Sequence, residues 1–540
     1  MTSALGLALS ALVWLAPPPV LPLPSRSGPE GPPRPLGAAP HVGAEPKPTG
    51  YAQVRAQNRA LLEGPFPRGG LERGVSEGTL LLSEDAAVRG LALSRIREAG
   101  ARTVRIPVDW RGTVSGEPGL GFDAADPASP SYHFALIDAA VRSAVAAGLT
   151  PLLVVSHAPA FAEAEPRWGY AYPGSWDPSP QALGAFATAL ALRYDGGFPD
   201  PLDPARTLPR VRLFQAWNEP NLARYLEPQW VAQEGRWSAF SPIIYRELLN
   251  GFYAGVESVE PGDTVVAAGM APNGDPTGVG RMAPVQFLRS LLCLTARGAA
   301  SPSGCPDPPH FDVLDFHPLS VGNPDVPAPS SLEVSISDAA KITRLLAQAE
   351  RAHTALPAGG KRVWVTELNW ESAPQSPQGV PPSVQAQWIS RALHRLWVAG
   401  VSLVAWQFLV DPYPGVPLGT PTGGTVEVSR PAGLYSAGPG GQLEGATPKP
   451  FLSGFALPFD PLRVDAEQVR VWALLMHPRA PVLLQREGRH RRWRTFAHLR
   501  ADAGGVLNAL VAVRGAVRLR LQAGALISWA APVPAHRSRL

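Results

Sequence analysis

The feature that most constrains this chain is a regular alternation of short β-branched runs with helical segments. Eight such runs lie at 71–76, 103–108, 150–155, 211–217, 264–269, 311–317, 362–367 and 402–408. The stretches between them have helical periodicity, and the first begins at Ser83, Glu84 and Asp85, which are residue types that cap helix N-termini. Eight strands alternating with helices predict an α/β fold of the (β/α)8 TIM-barrel type over residues 56–458.

An open, doubly wound α/β sheet is the competing architecture. Its dinucleotide-binding form carries a G-x-G-x-x-G motif after the first strand, and no such motif follows residues 71–76. The barrel is therefore the favoured interpretation, and no cofactor is expected.

Two further segments flank the predicted barrel. Residues 1–55 form a leader or Pro-rich linker, with twelve prolines in the first 50 positions. Residues 4–16 are apolar and uncharged, a length typical of a signal-peptide core and too short for a membrane span. We therefore expect a secreted or cell-envelope protein without a stable membrane span. A Pro-rich extended tail is the alternative interpretation of this segment.

The pattern changes after the barrel. Between 459 and 540 the apolar residues alternate with polar ones in short runs, which predicts a small C-terminal β-sandwich. The basic run RHRRWR at 489–494 has two interpretations. It is either an anion-binding patch or a solvated hairpin turn after which Trp493 returns to the core, and we favour the turn.

Charge and cysteine content limit the partners. The formal charge of +4 over 540 residues is too small to indicate nucleic acid as the main partner. The two cysteines, Cys293 and Cys305, are separated by a spacing that a disulfide could span and offer too few ligands for zinc. We expect a disulfide rather than a metal site, with two free thiols as the alternative. Nothing in the sequence addresses the oligomeric state.

Two glutamates stand at the ends of predicted strands. Glu219 follows the fourth strand and Glu367 ends the seventh, each after an apolar run where burial of a carboxylate is costly unless it is paired or functional. In a TIM barrel the strand ends build the active face. Two carboxyl groups there can cleave a glycosidic bond, one protonating the leaving oxygen and the other attacking the anomeric carbon. Either glutamate alone would more simply be a capping or ion-paired residue.

The motifs around these glutamates resemble a known group of enzymes. WNEPN at 217–221, VWVTELNW at 363–370 and the Trp-bearing VAWQF at 404–408 are similar to the retaining glycoside hydrolases of clan A, in particular family 39-like and family 5-like (cellulase-type) glycosidases. The resemblance covers roughly residues 70–460. It implies Glu219 as acid/base and Glu367 as nucleophile, and it implies that Asn218 binds the sugar 2-OH.

The resemblance extends less tightly to four other positions. Arg105 is similar to the clan's strand-two arginine, which holds the nucleophile ionised, and His317 ends the sixth strand where the family usually has a histidine. Trp406 resembles the platform beneath the reacting sugar, with a core tryptophan as the alternative. His157 is either a contact to substrate hydroxyls or a hydrogen-bonded core histidine.

The sequence thus predicts a retaining O-glycosidase that acts on oligo- or polysaccharides. The alternative is a non-catalytic carbohydrate-binding or cell-envelope protein on a glycosidase-like barrel, because a fold alone does not establish activity. The sugar, the linkage and the exo or endo mode are not predicted.

Overall fold

The computed structural model describes residues 58–536 apart from 117, 120, 168, 302–303, 320–321 and 412–430. The predicted leader, residues 1–55, lies outside the described residues. No helix within the described part of the chain is long and apolar enough to cross a membrane.

Eight parallel strands close into a barrel, as predicted. In chain order they are β1 Glu72–Ser76, β2 Thr103–Asp109, β3 Thr150–Ser156, β4 Leu213–Ala216, β5 Thr264–Met270, β6 Val313–Phe316, β7 Arg362–Leu368 and β8 Val401–Gln407. Each pairs with its neighbours in sequence, and β8 pairs with β1 to complete the ring. All eight predicted strands are confirmed, with ends that differ by at most two residues.

A helix of at least seven residues follows each strand on the outside of the barrel, and β2 is also followed directly by the single helical turn Trp110–Thr113. The helices are α1 Ala86–Glu98, α2 Ala135–Ala146, α3 Pro180–Arg193, α4 Ser241–Glu257, α5 Pro284–Leu291, α6 Ala340–Arg351, α7 Pro382–Val398 and α8 Pro450–Ala456. The cap expected before α1 is Asp85, whose side chain accepts a hydrogen bond from the Ala87 N–H.

Alternation along the strands decides which side chains enter the barrel. Leu152, Val313 and Leu403 belong to a small apolar cluster in the barrel interior. On β2, Val104 and Ile106 belong instead to the large core between strands and helices. Because side chains alternate along a strand, Arg105 between them points into the barrel.

The C-terminal part forms two antiparallel sheets. Its strands are β9 Phe459–Arg463, β10 Gln468–Leu474, β11 Pro481–Glu487, β12 Trp493–Arg500, β13 Val506–Ala512, β14 Val517–Ala523, β15 Leu526–Ile527 and β16 Ala531–Val533. One sheet has the order β9-β10-β13, and the other has β12-β11-β14-β15 with β16 beside β14. The two sheets share one apolar core, which confirms the predicted sandwich. The exact boundary between the two domains stays a prediction.

The RHRRWR run forms a tight turn between β11 and β12, closed by a hydrogen bond from the Gly488 N–H to the Arg492 carbonyl at 2.8 Å. The expectation that Trp493 returns to the core is wrong. Its side chain is half-buried at the surface of the sheet, where the Arg520 guanidinium covers the ring at 4.4 Å. The edge position of β12 explains this, since no further strand covers it.

A buried ion network joins the sandwich to the barrel. Asp460 on β9 accepts hydrogen bonds from Arg391 and His394 of α7, at 2.8 and 2.7 Å. The His394 ring stacks on Trp472 of β10 with centroids 4.7 Å apart. Burial alone would raise the pKa of Asp460, but Arg391 and His394 outweigh it and lower this pKa.

Cys293 and Cys305 are joined by a disulfide, with their Cα atoms 5.5 Å apart. The bridge closes the loop that follows α5, on the side of the barrel next to Arg246 of α4. The alternative of two free thiols is therefore not realised in this structure.

Candidate active site

Glu219 lies on an unusual stretch of backbone just after β4. Trp217 and Glu219 both have positive φ, 72° and 41°, which L-residues rarely adopt. The Glu219 N–H donates to the carbonyl of Gly269 on β5 at 3.1 Å. A Cβ at Gly269 would lie 2.8 Å from Gln215 Nε2, so this close approach requires glycine. The local backbone thus turns the Glu219 carboxylate over the barrel mouth.

Glu367 is held at the opposite side of the mouth by Arg105. The distance from Arg105 Nη1 to Glu367 Oε1 is 2.6 Å, and the two side chains are 5% and 9% exposed. A hydrogen bond between a guanidinium and a carboxylate is short and strongly directional, so it fixes the orientation of the Glu367 side chain. The pairing expected for Arg105 from the sequence is therefore present in the structure.

The same guanidinium organises two further side chains. Arg105 Nη2 donates to Asn218 Oδ1 at 2.6 Å, and Arg105 Nε donates to Gln215 Oε1 at 2.9 Å. Gln215 in turn donates to Asp315 Oδ2 at 2.9 Å. Gln215 and Asp315 were not among the site residues expected from the sequence. The available signal was a single polar residue within each otherwise apolar strand, LFQA and VLDF.

His317 contacts both glutamates. Its Nδ1 lies 3.1 Å from Glu219 Oε1 and 3.8 Å from Glu367 Oε2, while Nε2 lies 3.3 Å from Asp315 Oδ2. Burial by itself lowers the pKa of the imidazole, but the carboxylates of Glu367 and Asp315 outweigh it and raise the pKa of His317 to about 10. These carboxylates thus favour the protonated form of the ring, and Nε2 is also 3.1 Å from Thr366 Oγ1.

The two glutamates are close enough to act on one bond. One carboxylate oxygen of Glu219, one of Glu367 and a ring nitrogen of His317 all lie within 4.8 Å of one another. These three groups have the chemistry of metal ligands. Arg105 already occupies one oxygen of Glu367, and the Nε2 atom of His317 is within hydrogen-bond distance of Thr366 Oγ1 at 3.1 Å. The same two carboxylates are also placed for acid–base chemistry on one bond.

His157 lies at the rim rather than in the core. It directly follows β3, with its side chain 29% exposed and Nδ1 3.8 Å from Asp109 Oδ1, and its ring centroid is 5.3 Å from that of Tyr225. Burial is the main cause that lowers the pKa of His157, which keeps the ring neutral at neutral pH. The alternative of a core histidine does not describe this position. A contact with substrate hydroxyls stays a prediction.

Trp406 corrects an expectation from the sequence. Its side chain is completely buried, donates from Nε1 to the Ala432 carbonyl at 2.9 Å, and packs against Phe451 of α8. The physical reason is alternation: Ala405 belongs to the barrel interior, so Trp406 points outward to the helices. The residue is the core tryptophan that the sequence left as the alternative, and it offers no platform to a sugar in this structure.

Comparisons with known proteins give low similarity. No protein-family model and no curated protein matches the chain. Among solved structures it is similar to a family 39 glycoside hydrolase from the gut symbiont Bacteroides cellulosilyticus WH2, with 17% identity over 82% of this chain and 81% of that one, at a TM-score of 0.48.

Two further structures are comparable. A monomeric beta-xylosidase from Caulobacter crescentus CB15 has 15% identity, coverages of 83% and 96%, and a TM-score of 0.45. A glucosidase from Croceicoccus marinus has 11% identity, coverages of 83% and 95%, and a TM-score of 0.46. Similarities at this level assign neither a family nor an activity to the chain.

Proposed function

We propose that this protein hydrolyses a glycosidic bond of an oligo- or polysaccharide with retention of configuration, using Glu219 as acid/base and Glu367 as nucleophile. The observation that carries the proposal is the spacing of the two carboxylates. One oxygen of Glu219 lies within 4.8 Å of one oxygen of Glu367. This supports the short carboxyl separation of roughly 5–5.5 Å typical of retaining pairs over the roughly 6.5–9.5 Å of inverting pairs. The resemblance of the WNEPN and VWVTELNW motifs to clan A supports the same assignment.

The surroundings of each carboxylate suit different roles. Glu367 is buried and paired with the permanently charged Arg105, which fixes the carboxylate in one orientation as a nucleophile requires. Glu219 has no arginine or lysine partner among its described contacts, and its hydrogen-bond partner is His317. That arrangement allows Glu219 to lose and regain a proton during turnover.

The remaining contacts assign roles to Asn218 and His317. Because Arg105 donates to Asn218 Oδ1, the amide Nδ2 is left to donate toward a sugar hydroxyl beside Glu367. His317 holds its proton between the two carboxylates and is a positioning residue rather than a proton donor to the sugar.

The reaction then proceeds in two displacements. Glu367 attacks the anomeric carbon while Glu219 transfers its proton to the departing oxygen, which forms a glycosyl ester on Glu367 and releases the first product. Glu219, now ionised, takes a proton from water as that water attacks the same carbon and breaks the ester. Each step reverses the configuration, so the product retains it.

We also propose that the protein is exported. The apolar segment 4–16 and the disulfide between Cys293 and Cys305 support this, because disulfides persist mainly in oxidising compartments. Detection of the processed protein in a culture supernatant tests it, and retention of the whole chain in the cytosol contradicts it.

A covalent label tests the catalytic proposal. The full chain is incubated with a panel of 2-deoxy-2-fluoro glycosides, digested, and analysed by mass spectrometry. The expected result is one label on the peptide that contains Glu367, absent in Glu367→Gln. A label on any other carboxylate overturns the roles. No label and no aryl-glycoside hydrolysis across the panel favours the non-catalytic binding protein.

A further inference from the structure

The sandwich carries positive charge that the catalytic proposal does not use. Residues 459–536 contain twelve arginines and no lysine, against five acidic residues. Because the whole chain has a formal charge of only +4, residues 1–458 have a surplus of negative charge. The positive charge is therefore concentrated in one domain, which is typical of a surface that meets an anionic partner.

Some arginines of the sandwich have a side-chain partner within the domain, and others have none among the described residues. Arg514 contacts Glu467 at 2.5 Å, Arg518 contacts Glu487 at 3.0 Å, and Arg520 donates to Gln485 at 2.8 Å. Five others project from the β11–β12 hairpin, and we call them the basic tip: Arg486, Arg489, Arg491, Arg492 and Arg494. All five are exposed, and among the described residues none of their side chains has an ion-pair or hydrogen-bond partner.

The basic tip contains a costly arrangement. Arg486 and Arg494 are directly opposite each other across the two strands, a placement in which like charges destabilise a hairpin. The hydrogen bond from Gly488 to Arg492 fixes the turn beside them. The five arginines thus lie within nine consecutive positions of one hairpin, whose single acidic residue, Glu487, is paired with Arg518 on the next strand. A ligand with several anionic groups would relieve this repulsion.

Residue type and neighbours indicate the kind of ligand. Arginine presents a planar set of donors that matches the paired oxygens of carboxylate, phosphate and similar oxyanions such as sulfate. Phe496, 40% exposed on β12, adds an apolar ring of the kind that sugar faces pack against. We propose that the basic tip docks an acidic polysaccharide through its carboxylate or sulfate groups.

The position of the sandwich favours a polysaccharide over other polyanions. Asp460 bonds to α7 and Trp472 stacks on His394, so a polymer bound at the basic tip is held near the barrel. Such tethering raises the effective concentration of the polymer around the barrel. The negative surplus of the barrel opposes the wrapping of nucleic acid. The choice of a polysaccharide as the ligand rests on the proposed function, whereas the binding of an anionic polymer by the basic tip does not.

A binding experiment with the full chain tests the proposal. Immobilised polygalacturonate and dextran sulfate serve as carboxylate and sulfate probes, neutral xylan as the uncharged control, and duplex DNA and phosphatidylglycerol vesicles as the other anions. The variant Arg491→Gln/Arg494→Gln is compared with Arg514→Gln/Arg518→Gln. Both remove two charges from the same domain, but the second pair is already bound to glutamates.

We expect the wild type to bind at least one acidic polysaccharide and not xylan, with affinity that falls as salt rises. The basic-tip variant should bind about tenfold or more weakly, as expected for two lost charge-assisted contacts, while the control variant binds like the wild type. Unchanged melting curves show that both variants fold.

Three results would overturn the proposal: equal binding to xylan, equal losses in both variants, or tighter binding to DNA or vesicles than to either acidic polysaccharide. Because the measurement requires no turnover, its failure is distinct from a failure of the catalytic assignment.

Discussion

Arg105 on β2 and Glu367 on β7 form an ion pair across the mouth of the barrel, with Nη1 and Oε1 2.6 Å apart. The strands that carry them are not neighbours, since β1 and β8 lie between them. The pair therefore couples the fold of the barrel to the orientation of the proposed nucleophile. Its guanidinium also bonds to Asn218 and Gln215, so one side chain holds three site residues in place.

Two replacements of Arg105 distinguish the contribution of its positive charge from that of its planar hydrogen-bonding geometry. Arg105→Lys keeps the charge but loses the planar fork, and we expect kcat/KM on aryl glycosides to fall by about 10²–10³-fold. Arg105→Met leaves a buried carboxylate without its partner and should lower the free energy of unfolding by about 3–5 kcal/mol. Urea denaturation measures the second effect. The exposed pair of Arg95 and Glu98 is the control, where Arg95→Met should cost less than about 1 kcal/mol. Wild-type kinetics in Arg105→Lys would contradict this role.

The two glutamates should differ in their dependence on the leaving group. Glu219→Ala should retain activity on substrates with acidic leaving groups and lose about 10²–10⁴-fold on poor ones, because only the latter need protonation. Added azide should restore its turnover. Glu367→Ala should lose about 10⁴-fold or more on every substrate, since each requires the nucleophile. The assignment fails if Glu367→Ala remains nearly normal on aryl glycosides while Glu219→Ala is inactive on all.

His317 predicts a pH-dependent contribution to stability. Its pKa is raised from 6.5 to about 10 in the folded protein. Between these two pH values the folded state therefore keeps a proton that the unfolded state has lost. The stabilisation is fully present below pH 6.5 and decreases as the pH rises toward about 10. The difference in unfolding free energy between wild type and His317→Gln should therefore shrink over that window. A difference that stays constant from pH 6 to pH 10 would show that the ring is neutral.

Trp406 should behave as a core residue. Trp406→Ala removes a fully buried indole and should lower the free energy of unfolding by about 3–5 kcal/mol. The milder Trp406→Phe should leave KM within about twofold of the wild type, because the ring does not line the cleft. Thermal melts and steady-state kinetics check both outcomes. A large rise in KM for a stably folded Trp406→Phe would restore the platform interpretation.

Asp460 should be essential for the contact between sandwich and barrel. Asp460→Asn weakens the partner of Arg391 and His394 in a buried site, and we expect a loss of about 3–5 kcal/mol in unfolding free energy. Since the pKa of Asp460 is lowered in the folded protein, its contribution is present at neutral pH and lost in acid. The exposed Glu467→Gln is the matched control and should cost less than about 1 kcal/mol. Equal denaturation curves for the two variants would contradict this.

Sequence periodicity predicted the barrel because short, mainly apolar runs alternate with helical segments, and it placed Glu219 and Glu367 at strand ends. It was harder to predict whether a given side chain points into the barrel or toward the helices. On β7, Trp364 belongs to the barrel interior, so simple alternation would turn Glu367 toward the helices, but the register with β8 shifts between Val365 and Leu368. On β8, the register with β1 is continuous and Trp406 remains outside. Such irregularities depend on how neighbouring strands pair, which a single sequence does not reveal.

The positive φ of Glu219 has a consequence for how this sequence can change over evolutionary time. A left-handed residue that is not glycine costs about 1–3 kcal/mol, and Trp217 nearby has the same conformation. Selection for a more stable fold alone would therefore favour glycine or asparagine at position 219. A chain that keeps glutamate there accepts a less stable scaffold in exchange for a carboxylate above the barrel, so the two properties are under opposing selection at one position.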